Sequence, residues 1–447
     1  MSVEPMKLGT APGRFPLLSH SWSLLRRPLG FLTSLRDAGA MVKIRFGKEW
    51  AYLVQHPELI RQVLVTDTAV FDKGGPLFDK VRLLLGNGLG SCPHAMHRPL
   101  RRLMQPAFHR DRLATYADIM QREASNLADS WRPGAVIHVP SAMRTYMLAL
   151  VTRTLCIVGN AEAMAELRGA IPFLLEGLYN QMLLPGLLQK LPLPANRRFE
   201  RAFLRVRALT EQVIEDYRRA GIDHGDLLSM LLAARDELTH EGLTNDQIYD
   251  QVLTFLSGSE TGTSTLSWAF HVLGQRPDVE RRLHAEVDEV LAGQAARYED
   301  IPRLAYTTRF LTEALRLYSP GWLISRRTVT DTELGGHRLP GGTTILISFY
   351  AMHRDPTLFA EPDRFDPDRW LPERAASLPR FAMMPFGAGQ RKCIADSFGM
   401  AADTLALATI ARRWRLRPLP GDRTLPVAKL TLNPGDLRMR TEPRLRE

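Results

Sequence analysis

The feature that most constrains the fold is one long helical pattern near the middle of the chain. Thr244 followed by Gln247 forms a capping box, and the run that begins there ends at Gly274 and Pro277. A helix of about 30 residues is roughly 45 Å long, which is about the width of a whole protein of this size. The rest of the chain must therefore pack around this helix, and we predict a large helical body.

Two glycines interrupt the middle of this pattern. Gly258 and Gly262 lie four residues apart, so they leave one face of the helix bare. Each costs about 1 kcal/mol of helix stability relative to alanine. The bare face indicates either close packing against another helix or the approach of a flat or small molecule to the helix backbone. The sequence leaves both interpretations open.

The remaining elements surround the long helix. Helical patterns cover residues from about 97 to 327, whereas strand-like alternation occurs at two edges, about 40–60 and 328–350, where Gly-Gly and Pro-Gly pairs predict turns. The chain has 447 residues, 45% of them hydrophobic, with no internal repeat or low-complexity linker. We predict a single domain over residues 1–447, mainly α with small β-sheets (α+β).

Charge and cysteine content exclude several classes of protein. The net charge is +10, but no nucleic-acid-binding module or long basic run occurs, so we expect no nucleic-acid partner. Cys92, Cys156 and Cys393 are odd in number and widely spaced, which indicates no disulfide framework and favours the reducing cytoplasm. The sequence shows no signal peptide and no uninterrupted run of about 20 apolar residues, so we expect a soluble chain without a transmembrane anchor.

One cysteine lies in a spaced motif. The ordinary role of a lone cysteine is that of a small buried hydrophobe, which is our interpretation of Cys92 and Cys156. The third lies in a Gly/Arg-rich loop, residues 386–395, directly before an amphipathic helix. The residues that follow the spacing F-x-x-G-x-R-x-C-x-[GA] are Phe386, Gly389, Arg391, Cys393 and Ala395. This spacing resembles the haem-binding signature of the cytochrome P450 family.

The resemblance implies the P450 fold, with a long central helix over haem b (iron protoporphyrin IX) and Cys393 as the axial ligand of the iron. A thiolate in that position favours O–O cleavage. Gly389 allows a tight turn beside the sulfur, Arg391 pairs with a haem propionate, and Phe386 packs against the ligand side of the ring. Ala395 stands where the family usually has glycine, and a second small residue suits that position.

Further cations match the family's propionate-binding positions. His97 and Arg101 are spaced i, i+4 and so share one helix face. Arg326 matches a propionate-binding arginine of the family, with neighbouring Arg327 as the competing assignment. Haem carries two propionate charges, so several cations are expected around it.

A structural ion-pair network is implied as well. Glu313 and Arg316 match the family's E-x-x-R helix, and Arg364, in the segment EPDRFDPDRW, matches the third member. The resemblance implies a partly buried Arg–Glu–Arg set that fixes the loop before the cysteine, and we assign it to structure. For E-x-x-R alone, the alternative is a surface salt bridge worth under about 1 kcal/mol.

The middle of the long helix resembles the family's oxygen-activating segment. By that resemblance, Gly258 leaves room above the iron, Thr261 donates a hydrogen bond to oxygen, and Glu260 carries protons from solvent through a water chain. We assign Glu260 and Thr261, together with the cysteine ligand, to catalysis. Ser257 and Gly262 depart from the family's pattern, which affects the local kink or hydration.

Apolar residues dominate the segments that line the pocket in relatives. The candidates are Phe71, Phe78, Leu256, Gly258, Trp322 and Ile324. As a set they favour a hydrophobic substrate, and ordinary core packing is the alternative for each. The segments PLPANRRF (192–199), SGSETGTSTL and TDTELGGHRLP are similar to soluble bacterial oxygenases of cyclic sesquiterpenes, of the pentalenene oxygenase type. This resemblance implies a terpenoid substrate in the specialised metabolism of an actinomycete-like bacterium.

The resemblance also requires O₂ and an electron source. No flavin- or nicotinamide-binding pattern follows Cys393, so we expect electrons from a ferredoxin and a ferredoxin reductase. Basic residues expected near the thiolate side, which suit an acidic partner, are Arg98, Arg101, Arg102, Arg110, Arg112 and Lys392.

Two other functions remain open at this stage. One is a peroxide-using haem-thiolate hydroxylase of fatty acids or polyketides, and the other is a catalytically silent haem-binding sensor. Glu260 and Thr261 argue against both, because peroxide-using relatives usually lack this acid–alcohol pair. A monooxygenase that hydroxylates an apolar small molecule is therefore the function we expect.

Overall fold

The computed structural model describes residues 5–13, 19–46, 49–156, 161–183, 193–235 and 240–444. The chain divides into two compact units, each built from separate stretches. We call them the sheet unit, Met1–Gly75, Arg309–Cys393 and Pro426–Asn433, and the helical unit, Pro76–Thr308, Ile394–Leu425 and Pro434–Glu447. A single domain over residues 1–447 stays a prediction.

The elements are numbered in chain order within the described residues. The strands are β1 Leu8–Thr10, β2 Met41–Phe46, β3 Glu49–Val54, β4 Phe71–Asp72, β5 Val136–His138, β6 Ile324–Thr328, β7 Thr332–Leu334, β8 His337–Leu339, β9 Thr344–Ile347, β10 Trp414–Pro418, β11 Val427–Ala428, β12 Leu432–Asn433 and β13 Arg438–Pro443.

The α-helices are α1 Ser21–Arg26, α2 Pro28–Ser34, α3 Pro57–Arg61, α4 Pro76–Leu85, α5 His94–Met104, α6 Arg110–Ser130, α7 Val139–Leu155, α8 Ala161–Leu183, α9 Pro194–Ala220, α10 Leu227–Ala233, α11 Asn245–Ser257, α12 Ser259–Gln275, α13 Pro277–Leu291, α14 Ala305–Leu317, α15 Phe349–Met352, α16 Pro372–Ala375 and α17 Asp396–Ala411. Helices dominate and the sheets are small, which confirms the predicted fold class.

The sheet unit is organised by a six-stranded sheet in the order β1-β2-β3-β9-β6-β4. Strands β2 and β3 are antiparallel with Met41 opposite Val54, and β3 pairs with β9 in parallel with Ala51 opposite Thr344. Both faces of the sheet are covered: Met41 belongs to one hydrophobic cluster and its neighbour Val42 to another. The alternation of the MVKIRF strand therefore distributes its apolar side chains over two cores.

A tight hairpin joins β7 to β8 at the predicted Gly-Gly turn. Gly335 and Gly336 both have positive φ, 60° and 80°. A two-residue hairpin loop with positive φ at both positions is the type I′ turn, which glycine enters without steric cost. The turn prediction at this position is confirmed.

The helical unit is built around α12. This helix packs against α7, α17, α13 and strand β10, and α17 packs in turn on α6. The largest side chains buried there include Tyr116, Tyr146, Trp268 and Phe270. Strands β10, β13 and β5 form a three-stranded sheet in the same unit. Among the described helices, none combines the length and the apolar character that crossing a membrane requires.

The long central helix is two helices, which corrects the prediction of one continuous helix. The predicted capping box is present, with Thr244 accepting from the Gln247 N–H at 3.2 Å. The helix stops at Ser257 and restarts at Ser259. At the break, the Gly258 N–H donates to Phe255 O, a bond of three residues rather than four. Side-chain hydroxyls compete for the same carbonyls, because Ser257, for example, donates to Thr254 O at 2.7 Å.

Candidate active site

The sheet unit holds the cysteine loop. Gly387 and Gly389 have positive φ of 73° and 66°, and the Cys393 N–H donates to Phe386 O at 2.9 Å. A Cβ on Gly389 would lie 2.1 Å from the backbone oxygen of Leu64, in the π-helical turn Gln62–Thr66. Only glycine can occupy that position, because both the φ angle and the space exclude a side chain. The loop is therefore shaped by its glycines as predicted.

The three cysteines differ in exposure. Cys92 and Cys156 are buried, as predicted for small hydrophobes, and burial raises the pKa of the Cys156 thiol. Cys393 is exposed, and none of the three forms a disulfide. The chain passes into the helical unit directly after Cys393, and Ala395 is the N-cap residue of α17. An accessible thiol close in sequence to a helix start is where a reactive thiolate is expected.

Two buried arginines lie near one carboxylate in the sheet unit. Arg391 pairs with Asp72 at 2.7 Å, and the side chain of Arg391 is only 4% exposed. Arg326 is also buried, and its Nη1 donates to Ser325 O at 2.8 Å. Burial first, and then repulsion from Arg391, lower the pKa of Arg326 to about 10. Two guanidinium groups facing one carboxylate leave a surplus positive charge, which suits an anionic group such as a haem propionate.

The competing cation, Arg327, takes a different position. Its guanidinium lies against two glycines, because a Cβ on Gly75 would meet Nη1 at 2.7 Å and one on Gly342 would meet Nη2 at 3.2 Å. Arg327 is half-buried, whereas Arg326 beside it is buried. The geometry therefore favours Arg326 for the propionate role.

A buried ion-pair network surrounds Glu313. Arg316 donates to both of its carboxylate oxygens, at 2.8 and 2.7 Å, and both side chains are completely buried. The third arginine is Arg369, whose Nε lies 3.5 Å from Glu313 Oε1. The Trp370 indole N–H donates to Oε2 at 3.0 Å. The predicted pair of Glu313 and Arg316 is present, and the network is larger than expected.

The assignment of Arg364 to this network is wrong. Its side chain is 59% exposed and pairs with Glu361 at 2.9 Å, while only its backbone oxygen accepts a bond from Arg316, at 3.2 Å. The segment contains the tripeptide Pro-Asp-Arg twice, at 362–364 and 367–369. The second copy enters the core because it lies in a 3₁₀ turn, Pro367–Trp370, whose tryptophan also reaches the carboxylate. The tryptophan after the second copy was the available sequence signal.

The helical unit presents the acid–alcohol pair on the first turn of α12. Thr261 is exposed, and its hydroxyl donates to Gly258 O at 2.7 Å. Glu260 pairs with Arg144 of α7, with Nε–Oε1 at 2.8 Å and Nη2–Oε2 at 3.4 Å. The side chains of Glu260 and Arg144 are 17% and 32% exposed. Sequence reasoning missed Arg144, since no local spacing connects residues so far apart in the chain.

The sequence left two interpretations of the central glycines open, close helix packing and an accessible backbone. In the structure each applies to a different glycine. A Cβ on Gly262 would lie 2.4 Å from Met147 Cε and 3.2 Å from Asp403 Oδ1, so this glycine serves close helix packing. Gly258 is exposed, and a Cβ there would meet only the backbone of its own helical segment. Gly258 and Thr261, three residues apart, thus offer an accessible backbone and hydroxyl on one face.

Asp403 is an unexpected buried acid behind this helix. Among the described residues its Oδ1 has no hydrogen-bond partner. Burial raises the pKa of Asp403 well above its usual range, because the charged form loses its hydration. Nearby, Tyr146 donates its hydroxyl to Ala402 O at 3.0 Å. The core between α7, α12 and α17 therefore contains a buried carboxyl group.

The predicted propionate ligands of the helical unit lie on α5. This helix spans His94–Met104, so His97 and Arg101 do share one helical element at i, i+4 spacing. His97 is buried and Arg101 is half-buried. Arg98 and Arg102, on the same helix, are exposed.

The pocket candidates divide into two groups. Phe71 is 1% exposed and belongs to the hydrophobic core of the sheet unit, so its assignment to a pocket is wrong and its apolar character serves packing. Leu256 is buried, and its pocket role stays a prediction. Phe78 is half-buried with the Arg82 guanidinium 5.9 Å from its ring.

Two further candidates pack against the two hydrophobic clusters of the sheet unit. Ile324 is half-buried and packs against the first hydrophobic cluster, and Trp322 packs against the second. The Trp322 indole N–H donates to Lys429 O at 2.9 Å, which fixes the orientation of the ring. A substrate-facing role for these residues stays a prediction.

Comparison with known proteins identifies the family. The cytochrome P450 family model matches residues 12–440. The chain is 49% identical to cyclooctatin synthase from Streptomyces melanosporofaciens, over 97% of this chain and 95% of that protein. It is 47% identical to cyclooctat-9-en-7-ol 5-monooxygenase from the same organism, over 99% of this chain and 96% of that protein. It is 43% identical to pentalenene oxygenase from Streptomyces avermitilis, over 99% of both chains.

The fold has a solved counterpart. The crystal structure of the cytochrome P450DA heme domain has a TM-score of 0.89 with this chain at 24% identity, covering 99% of both chains. The chain belongs to the cytochrome P450 family. It is a P450 monooxygenase, and its cofactor is haem b with a thiolate-ligated iron. The surplus cation and the exposed cysteine of the sheet unit fit that cofactor.

Proposed function

We propose that this monooxygenase hydroxylates a cyclic terpenoid. The observation that carries the proposal is the similarity of 43–49% identity, over nearly the full chain, to three relatives named for cyclooctatin, cyclooctat-9-en-7-ol and pentalenene. These names denote cyclic terpene skeletons with few polar groups. The apolar candidates Phe78, Trp322 and Ile324 support a substrate of that kind.

The residues proposed to bind haem are a cysteine and a set of cations. Cys393 supplies the thiolate that ligates the iron, while Arg326 and Arg391 supply positive charge for a propionate, as do His97 and Arg101. Bound haem would supply the O₂ chemistry of a monooxygenase, in which two electrons and two protons are consumed, one oxygen atom enters a C–H bond of the substrate and the other leaves as water. All other groups bind, orient or move protons.

Proton delivery is the proposed role of the α12 residues. The Thr261 hydroxyl donates a hydrogen bond to Gly258 O at 2.7 Å, and it can rotate to donate to O₂ instead. Glu260 is accessible to solvent and pairs with Arg144 at 2.8 Å. We propose that Glu260 leaves Arg144 to take a proton from water and passes it toward the Thr261 hydroxyl.

A ferredoxin and its reductase are the proposed electron donors. Exposed Arg98 and Arg102 give α5 a positive surface that suits an acidic partner, and Arg112 is half-buried nearby in sequence. The side chain of Arg110 and the segment 184–192 lie outside the described residues. Charge reversal in Arg102→Glu should slow reduction and flatten its dependence on salt. Unchanged reduction kinetics in that variant would remove α5 from the docking surface.

The decisive experiment is a binding and turnover screen with pentalenene and cyclooctat-9-en-7-ol among a panel of cyclic terpenes. We expect a substrate-induced Soret shift and a hydroxylated product with ferredoxin, reductase and NADPH. Fatty acids serve as the competing panel. Turnover of fatty acids with hydrogen peroxide alone would establish the peroxide-using alternative, and spectral shifts without any product would establish the sensor.

A further inference from the structure

Asp403 is an acid in a stretch of helix that is buried on every side. Helix α17 spans Asp396–Ala411, and all of its residues from Ala401 to Ala411 are buried. Asp403 is 4% exposed, and within the part of the chain that the structure describes its Oδ1 has no hydrogen-bond partner. A buried polar group without a partner lowers the stability of a fold. Such a residue is expected where function requires it.

The carboxyl group of Asp403 faces α12 at Gly262. A Cβ on Gly262 would lie 3.2 Å from Asp403 Oδ1 and would overlap Met147 Cε, so side chains from two neighbouring helices fill the space beside this glycine. Met147 belongs to α7 and Asp403 to α17, and both helices pack on α12 within the helical unit. The bare backbone of α12 at Gly262 therefore lies directly against a carboxyl group.

The first turn of α12 depends on its neighbours for support. Its N-cap residue is Gly258, which has no side chain to accept from the first N–H groups of the helix. Glu260 is held by Arg144 of α7 at 2.8 Å. Gly262 follows two residues later and meets Asp403 of α17. The turn that carries the acid–alcohol pair is thus contacted from α7 and from α17.

We propose that Asp403 is a positioning residue for the α12 turn that carries Glu260 and Thr261. The inference rests on the proposed function, in which these two residues deliver protons. The carboxyl group supplies, from α17, the polar side chain that Gly262 lacks. It forms a hydrogen bond with the backbone of this turn, directly or through one buried water. Fixing the turn keeps Glu260 on Arg144 and keeps Thr261 on the accessible face.

The chemistry of the carboxyl group suits this role. Burial raises the pKa of Asp403, which favours the uncharged acid over the carboxylate. The uncharged acid has both a donor and an acceptor for the backbone of α12. The neighbouring hydroxyl of Tyr146 already donates to Ala402 O at 3.0 Å, so it serves the contact between α7 and α17 instead.

The first test separates polarity from packing. Asp403→Leu keeps a side chain of similar size without polar atoms, whereas Asp403→Asn keeps the size and the ability to donate and accept. In Asp403→Leu, amide hydrogen exchange of residues 259–262 should become about tenfold faster, the factor expected for loss of one hydrogen bond. In Asp403→Asn these rates should stay within about twofold of the wild type. The measurement uses the holoprotein without substrate.

Melting temperature distinguishes positioning from a general role in the core. Replacing an unpartnered buried acid by leucine should leave the melting temperature unchanged or raise it, although the α12 turn exchanges faster. If Asp403 only held the core together, the melting temperature of Asp403→Leu would fall and exchange would rise throughout α12 and α17. The first pattern supports the proposal, and the second overturns it.

Tyr146→Phe is the matched control. It removes the bond to Ala402 O, at the residue next to Asp403, and so disturbs the same junction of α7 and α17. Exchange of residues 259–262 should equal that of the wild type. An equal rise in Tyr146→Phe and Asp403→Leu would show that any loss of polarity in this core loosens α12, which would overturn a specific role for Asp403.

A double variant tests whether Asp403 and Gly262 share one space. Gly262→Ser alone should lower the melting temperature, because its Cβ would meet Asp403 Oδ1 at 3.2 Å. Asp403→Ala makes room, the flexible end of Met147 can move aside, and the new side chain supplies a hydroxyl from α12 itself. Exchange of residues 259–262 should therefore be slower in the double variant than in Asp403→Ala. Independent effects of the two substitutions would overturn the pairing.

Activity separates this inference from the proposed function. With ferredoxin, reductase and the terpene of the panel that gives the largest Soret shift, Asp403→Leu should release more hydrogen peroxide per NADPH oxidised, and Asp403→Asn should not. Wild-type turnover in Glu260→Gln would overturn proton delivery by α12 itself. A loss of turnover in Glu260→Gln, together with wild-type exchange and peroxide release in Asp403→Leu, would overturn the role of Asp403 alone.

Discussion

Two of the carboxylate–arginine sites in this protein differ in burial and in bonding. In the sheet unit, Glu313 and Arg316 are completely buried and Arg369 is 7% exposed. In the helical unit, the side chains of Glu260 and Arg144 are 17% and 32% exposed. A carboxylate–arginine pair is therefore found once in the buried core and once where solvent reaches it.

The bonding of the two carboxylates differs as much as their burial. Both oxygens of Glu313 accept from Arg316, and the carboxylate also accepts from the Trp370 indole and the Asp366 N–H, at 3.0 Å each. Glu260, within the described part of the chain, accepts only from Arg144. A carboxylate with all its acceptor sites filled cannot move, whereas one held by a single arginine can exchange it for water. Burial and the number of accepted hydrogen bonds thus distinguish the acid that we assign to structure from the acid that we propose to carry protons.

The largest predicted effect breaks the buried network. Glu313→Gln leaves Arg316 charged and unpaired in the core, so we expect a loss of about 3–5 kcal/mol in the free energy of unfolding. Denaturant unfolding and the yield of the 450 nm band measure it. A variant as stable as the wild type would mean that the network does not hold the sheet unit together.

The next effect concerns activity rather than stability. Glu260→Gln should lower the turnover number about 100-fold, which is typical of losing a positioned proton carrier. Arg144→Met should change the free energy of unfolding by less than about 1 kcal/mol, because the pair is partly exposed. Turnover is measured with ferredoxin and reductase, and stability by thermal melting. A large loss of stability in either variant would make this pair structural and erase the contrast with Glu313.

Low pH should destabilise the buried network around Glu313 through protonation of His353. Its backbone oxygen accepts from Arg316 Nη1 at 2.7 Å, and burial lowers the pKa of His353 to about 3. A histidine whose pKa is lower in the folded state contributes stability that is fully present above about pH 6.5 and is lost as pH falls toward 3. By pH 5 the loss should reach about 2 kcal/mol.

His284 in the helical unit is expected to add a loss of similar size, because burial lowers its pKa to about 3 as well. Unfolding at pH 8 and pH 5, with His353→Gln and His284→Gln as the comparison, measures the two contributions. Each variant should show a weaker pH dependence than the wild type. An unchanged pH dependence in His353→Gln would show that the loss of stability in acid does not arise at the Glu313 network.

The smallest effect sets the baseline. Arg364→Ala removes an exposed pair with Glu361 and should change the free energy of unfolding by less than about 0.5 kcal/mol. Arg369→Ala, five residues later, should cost several-fold more, because it removes a buried partner of Glu313. Equal losses of unfolding free energy in the two variants would show that Arg364 contributes to the network as much as Arg369 does.

Patterns with local spacing allowed much of the fold to be predicted. The fold class, the capping box at Thr244 and the E-x-x-R pair all depend on residues within one or two helical turns, where side-chain geometry follows directly from the sequence. The glycine requirement of the cysteine loop was likewise readable, because positive φ angles leave few alternatives to Gly389.

The errors have a common physical origin in tertiary contacts. Arg364 and Arg369 each end the same tripeptide, Pro-Asp-Arg, and only the turn that places Trp370 beside the carboxylate distinguishes them. Arg144 lies far from Glu260 in sequence, so no periodicity connects them. Phe71 is apolar in either role, and only its place inside the sheet core shows that it packs rather than lines a pocket.

The parallel pairing of β3 with β9 has a consequence for synthesis of the chain. Ala51 lies opposite Thr344, and nearly the whole helical unit is translated between them. At about 5–20 residues per second, the ribosome delivers β9 roughly 15 s or longer after β3. During that interval one edge of β3 has no neighbouring strand. Cys393 is translated later still. A nascent chain must therefore keep that edge from pairing with other strands before it can bind haem.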